Sequence, residues 1–187
     1  MKRILLSTCI AMFMLLFFTA CGLNTSKKGN TVPEVSSSSQ KYTSSAKKES
    51  KYYFKDNTAK LKDIKLKITK TKIIKAGDKG NEYGENTVIA FWFSAKNIGG
   101  IDIDPNGAWL NNIEAYQDTS KTQINTLKVG WLPDKKFLKT QQEKIKSGAT
   151  ADSAMSYELS DTKTPVILKL TDHSSGKVIG SQKFELK

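Results

Sequence analysis

The sequence predicts an all-β fold, an antiparallel β-sandwich preceded by a signal peptide and a disordered tether, and three observations carry that expectation. Across residues 51–187 the apolar residues recur with a period of two rather than 3.6, the mark of strands that bury one face. Val88 to Ala95 is apolar on both faces, as a central strand must be. The first 50 residues have two other compositions, an apolar leader and then a polar, serine-rich stretch that lacks the apolar surface to fold.

The elements follow in chain order. In Lys62 to Thr69, Ile64, Leu66 and Ile68 point one way while Asp63, Lys65 and Lys67 point the other. In Val88 to Ala95, Ile89, Phe91 and Phe93 form the heavier face, and Trp92 is expected as a buried core indole. Trp109 to Gln117 reads as a further strand with Trp109, Ile113 and Ala115 on one side, which also places Trp109 in the core. Asp134 to Lys146 reads as a short helix with sparse apolar positions. Met155, Tyr157 and Leu159 alternate with Ala154, Ser156 and Glu158. Val166, Leu168 and Leu170, then Phe184 and Leu186, flank the turn-rich Asp172-His173-Ser174-Ser175-Gly176 and predict a hairpin. Short strands at this spacing argue for a sandwich.

The N-terminus is an address. Lys2 and Arg3 precede Ile4 to Phe18, an apolar run shorter than the roughly 20 residues that a membrane span needs. Residues 1–20 are therefore a secretory signal. Phe18-Thr19-Ala20-Cys21-Gly22 resembles the lipobox of bacterial lipoproteins, with Phe18 where leucine is commoner. That resemblance implies a diacylglyceryl group on the sulfur of Cys21, which becomes the mature N-terminus, at the outer face of the cytoplasmic membrane. One acyl chain holds only reversibly, at about 0.8 kcal/mol per buried methylene, whereas two anchor stably. Residues 21–50 hold the lipidated cysteine and a Ser/Lys-rich tether, whose coil from Gly22 to Ser50 spans roughly 30 Å. Residues 51–187 form the folded domain.

Several segments of that domain resemble domain-of-unknown-function family 5067. They are Tyr52-Tyr53-Phe54-Lys55-Asp56-Asn57 through Leu61-Lys62-Asp63-Ile64, Gly80-Asn81-Glu82-Tyr83-Gly84, Val88 to Phe93, and Asp102-Ile103-Asp104-Pro105 with Ala108-Trp109. Leu132-Pro133-Asp134, and Ile145-Lys146-Ser147-Gly148 leading into Ser156-Tyr157-Glu158-Leu159, complete the resemblance. It implies an immunoglobulin-like sandwich on secreted or lipid-anchored proteins of Gram-positive bacteria, and it implies no catalytic residues.

Counting removes several chemistries. Two cysteines, Cys9 and Cys21, and one histidine, His173, exclude a disulfide framework and a cysteine- or histidine-rich metal site. Any Ser-His-Asp mechanism rests on His173, expected exposed in a polar turn. Asp102-x-Asp104-x-Asn106-Gly107 begins like a calcium loop, but Ile113 stands where the closing glutamate belongs, so ordinary turn work is the better account. Gly77 to Gly84 lacks the helix a phosphate cradle needs and reads as a long mobile hairpin loop. No catalytic residue, cofactor or metal ligand is assigned, and the chain is read as a non-catalytic binding module.

Charge supplies the remaining candidates. The chain carries +12, with 30 basic against 18 acidic residues, and Arg3 is its one arginine. Such a field attracts polyanions. Nucleic acid is a poor partner without arginine for bidentate contacts. An anionic wall polymer such as teichoic acid, or an envelope protein, fits the address. The bland account is that lysine-rich strands are solvated faces that block edge pairing. Candidate ligand-binding residues are Lys65, Lys67, Tyr83 and Trp131. Trp131 lies in a turn-like stretch where exposure would suit sugar stacking or a protein hot spot, while core burial is the expectation. An alternative function is a lipid-anchored envelope hydrolase.

Overall fold

Alternation decides which side of each strand turns inward, and a computed structural model, which describes residues 51–186, shows the result. The leader, Cys21 and the whole of the expected tether lie outside the described residues. The elements are strands β1 (Tyr53–Lys55), β2 (Thr58–Lys60), β3 (Ile64–Ile74) and β4 (Val88–Asn97), helix α1 (Pro105–Leu110), then β5 (Ile113–Gln117), β6 (Asn125–Thr126), β7 (Thr150–Glu158), β8 (Val166–Asp172) and β9 (Lys177–Phe184). They form two antiparallel sheets, ordered β1-β2-β3-β4-β7 and β6-β5-β8-β9. The immunoglobulin-like antiparallel sandwich expected from the sequence is the fold.

β4 is an interior strand of the larger sheet, paired with β3 and β7. Its inward residues Ile89, Phe91, Phe93 and Ala95 meet Tyr157 and Met155 of β7, and Leu66, Ile68 and Ile73 of β3, by register. Ala115, Val166, Leu168 and Leu170 face them from the second sheet. Each fully buried Val, Leu, Ile, Phe or Met among them contributes about 1.5–3 kcal/mol. A bulge between Ile68 and Lys70 inserts one extra residue and reverses the alternation of β3, so Ile73 joins the sandwich core and Ile74 turns outward.

Trp109 is the centre of this core, with no solvent exposure. Its ring lies 4.5 Å from that of Phe93 and 5.7 Å from that of Phe91. The indole Nε1 donates to the Tyr157 hydroxyl at 2.8 Å, an indole-to-phenol bond between the helix that leads into one sheet and a strand of the other. A buried indole N–H left without an acceptor would cost about 1–3 kcal/mol.

Four local expectations need correction. Trp109 reaches the core from α1, not from a strand, because the Asp104 carboxylate accepts the Gly107 amide at 2.8 Å and Pro105 starts the helix. Asp134 to Lys146 is not a helix, since only Lys135–Phe137 makes a single 3₁₀ turn. Strands β1, β2 and β6 were not anticipated, being two or three residues long and too short to show a period. The first two close through Asp56 and Asn57 at φ of 50° and 57°, the left-handed pair that a two-residue hairpin turn requires. Trp92 is only half-buried and lies on the outer side of its sheet, since Phe91 and Phe93 take the inner positions.

Burial pushes the Tyr157 hydroxyl up to about 12 from 10.0. The folded state keeps this proton while the unfolded chain releases it near 10, so the associated stability is complete below pH 10 and lost as pH rises toward about 12. Urea unfolding followed across that window should show stability falling with pH. Tyr157→Phe should flatten that dependence while costing about 1–3 kcal/mol at neutral pH through the stranded indole N–H.

Candidate functional site

The outer side of β4 is apolar as well, and something has to cover it. Val88 and Ala90 are buried there with Ile74, and Trp92 packs against them. The cover is made by two loops, the β3–β4 connection through Gly77–Gly84 and the segment from Lys128 to Phe137. Gly130 donates its amide to the Ser156 carbonyl at 2.9 Å, and the Ser156 hydroxyl donates to the Trp131 carbonyl at 2.6 Å. The Trp92 indole donates to Asp134 at 3.0 Å, and the Lys70 ammonium lies 4.9 Å from the centre of that ring. Burial opposes ionisation of Asp134, but the Trp92 indole, the Lys136 amide and the Lys136 ammonium outweigh it and hold the carboxyl below its usual range.

The glycine-rich loop is therefore packed at its centre, not free. Gly80 and Asn81 are buried, and the Asn81 amide donates to the Asn86 carbonyl at 2.8 Å. Gly80 sits at φ +96° where a Cβ would come within 2.6 Å of the Pro133 carbonyl oxygen. Only glycine lets the two loops approach this closely.

At their outer surface these loops bring Tyr83 and Trp131 together. Their side chains are 72% and 62% exposed, and the ring centroids are 6.1 Å apart in an edge-to-face arrangement. Lys135 bridges the loops by an ion pair to Glu82 at 3.0 Å, with its ammonium 5.8 Å from the Tyr83 ring centre. Glu82 is held below its usual range by its backbone hydrogen bonding and by Lys135, and Lys135 is correspondingly raised by Glu82. The expectation of a core Trp131 is corrected. The loop covers the sheet with its backbone, Gly130 lying against Ser156 and Val88, and the indole is left outside.

Lys65 and Lys67 lie on the same outer sheet face but away from the aromatic pair. Both are exposed, and their registers place Lys65 between Lys60 and Lys96, and Lys67 between Thr58 and Ser94. The structure thus joins two of the four candidates into one site and puts the other two in a separate basic row.

The remaining sequence motifs gather at a cleft of about 380 Å³, whose lining includes Ile64, Asp63, Asp102, Asp104, Lys144 and His173. Asp104 caps α1 and pairs with Lys144 at 3.1 Å. Asp172 accepts from the hydroxyls of Ser175 and Ser174, which hold its carboxyl below the usual range. His173 is exposed. Among the described residues no group of three or more His, Cys, Asp and Glu is placed to hold a metal ion.

The profile of a domain of unknown function, DUF5067, matches residues 39–172. The chain belongs to the DUF5067 family. No curated protein matches it. Among solved structures, the DUF5067 chain is similar to a candidate lipoprotein from Staphylococcus aureus subsp. aureus NCTC 8325, with 24% identity and a TM-score of 0.61 over 72% of this chain and 92% of that one. That likeness shows the fold. The yjhA protein from Bacillus subtilis aligns at 11% identity and a TM-score of 0.44, over 71% and 97%.

Asn81, Gly80 and Asp134 brace the aromatic pair of this DUF5067 domain, and none was singled out for that role in the sequence. The available signal was the outward apolar set Val88, Ala90 and Trp92, which demands a cover. Gly80→Ala should cost about 1–3 kcal/mol through its positive φ alone, with the backbone clash adding to it. Thermal denaturation measures the loss, and near-ultraviolet circular dichroism should report the disturbed Tyr83–Trp131 environment.

Proposed function

We propose that this DUF5067 protein is a lipid-anchored envelope protein of a Gram-positive bacterium. On this reading Cys21 carries the diacylglyceryl anchor, the segment to residue 50 is its tether, and the sandwich is displayed outside the membrane as a non-catalytic recognition module. The lipobox-like Phe18–Gly22 supports the anchor, as does the likeness in fold to a candidate staphylococcal lipoprotein. Among the described residues no helix is long and apolar enough to cross a membrane.

The observation that carries the recognition reading is the Tyr83–Trp131 pair. Two large rings held in solvent do nothing for the core, yet the loops that bear them are fixed by a buried asparagine, an ion pair and a close glycine approach. Rigid exposed aromatics supply contact area at little entropic cost and dominate binding hot spots. The anchor raises the local concentration of such a module at the envelope.

Two measurements test this. Metabolic labelling with a palmitate analogue should tag the wild type and leave Cys21→Ala unlabelled and released from the membrane fraction. Retention of the full chain on isolated cell walls stripped of their anionic polymer should drop at least about tenfold in Tyr83→Ala/Trp131→Ala, with the thermal midpoint nearly unchanged because both side chains are exposed. Equal retention of the double variant sinks the recognition reading.

A further inference from the structure

We infer that the outer face of the larger sheet is a binding surface for a linear phosphodiester polymer of the poly(glycerol phosphate) type. This goes beyond the aromatic pair to a second surface of the domain, and it rests on the external placement proposed above. The outward positions of β2, β3 and β4 carry Lys60, Lys65, Lys67, Lys70, Lys72 and Lys96. Lys60, Lys65 and Lys96 are direct cross-strand neighbours in a single row. On these rows the strands supply one carboxylate, Asp152, opposite Ser94. Among the described residues the ion pairs involve Lys135, Lys136, Lys144 and Lys169, and none of the six.

Like charges directly opposite one another destabilise a sheet. Edge protection does not account for them, because Lys65, Lys67 and Lys96 stand where β3 and β4 are paired on both sides. Three facing ammonium groups without counter-charges form a focused positive field that an external anion neutralises. Along a strand, alternate residues repeat at about 6.6 Å, and neighbouring strands lie about 4.8 Å apart. The result is a row of three charges across the strands and a line of four along β3, Lys65, Lys67, Lys70 and Lys72, stepped once by the bulge, which together suit a repeating anion. All six are lysines, flexible single charges that contact a phosphate without dictating a planar, bidentate geometry. A bilayer is the less fitting occupant, since a docking face for lipid adds apolar side chains that enter the interface. None of the large hydrophobic residues that stand exposed lies on these rows.

The test is equilibrium binding of the full chain, in neutral detergent, to a fluorescently labelled short poly(glycerol phosphate). Affinity should fall steeply between about 50 and 200 mM salt. The variant Lys60→Gln/Lys65→Gln/Lys96→Gln should lose roughly 10- to 100-fold in affinity and show a shallower salt slope. Its thermal midpoint should stay equal or rise, because the opposed charges are relieved. A second variant, Lys67→Gln/Lys70→Gln/Lys72→Gln, should weaken binding comparably. Lys121→Gln/Lys139→Gln/Lys163→Gln, with the same change in net charge, should leave it within about twofold. The inference is overturned if the wild type does not bind at low salt, or if the control variant weakens binding as much as the others. It is equally overturned if phosphatidylglycerol vesicles retain Cys21→Ala, which lacks the anchor, while the free polymer does not bind it. Each of these failures leaves the palmitate labelling and the Tyr83/Trp131 result unchanged, so the anchor and recognition readings stand or fall separately.

Discussion

Everything else in this domain depends on β4 being apolar on both sides. A strand of that kind needs two covers, and the chain provides them by different means. The inward residues Ile89, Phe91, Phe93 and Ala95 are met by a second sheet. The outward residues Val88, Ala90 and Trp92 are met by loops, and a loop that covers a sheet must bring its backbone polar groups to partners. Gly130 and Ser156, Trp131 and Ser156, and Trp92 and Asp134 are those partners. The recognition surface proposed for the protein is thus a by-product of burial: pinning the loop backbones inward leaves Tyr83 and Trp131 facing out.

Buried amides do the corresponding work on the other loops. Gln117 is fully enclosed, and its side chain donates to the carbonyls of Asp161 and Thr164 and accepts from the amide of Ser160. Asn97 donates to the carbonyls of Ile101 and Ile145 and accepts from the amide of Gly99. Asn112 bonds the Ala108 carbonyl and the His173 amide. A buried polar group costs stability unless it is satisfied, and here each satisfied amide fixes the path of a segment that lacks regular structure. Together with the Trp109–Tyr157 bond, these contacts make the sandwich one packed body at its loop ends as well as along its strands.

Much of the fold was legible in the order of residues. The alternations in β3, β7 and β8 specify their buried faces, and Asp172 to Gly176 announces the β8–β9 hairpin. Where the reading fails, the cause is local at Trp109 and tertiary at Trp92. The apolar pattern from Trp109 to Gln117 suggests a strand, whereas the Asp104 cap and Pro105 start a helix that carries Trp109. The hydrophobicity of Trp92 marks it for burial without saying on which side, and the sheet places it outward with Ile74, Val88 and Ala90. The candidate residues divided in the same way. Tyr83 and Trp131 are 48 positions apart and become neighbours only because Gly80 lies against Pro133.

By itself the sequence determined composition, charge and period: a signal-like leader ending at a lipobox-like cysteine, a domain built of strands, and a surplus of lysine with one arginine. These are properties of single residues or of near neighbours, so they survive without a fold. The tertiary structure decided which lysines face one another and which aromatic rings stay outside. Register is set by pairing between strands distant in the chain, and a one-residue bulge such as that at Ile68–Lys70 moves every later side chain to the opposite face. Lys60, Lys65 and Lys96 form a row for that reason. Trp131 stands in solvent because the space beneath it was already filled by its own backbone.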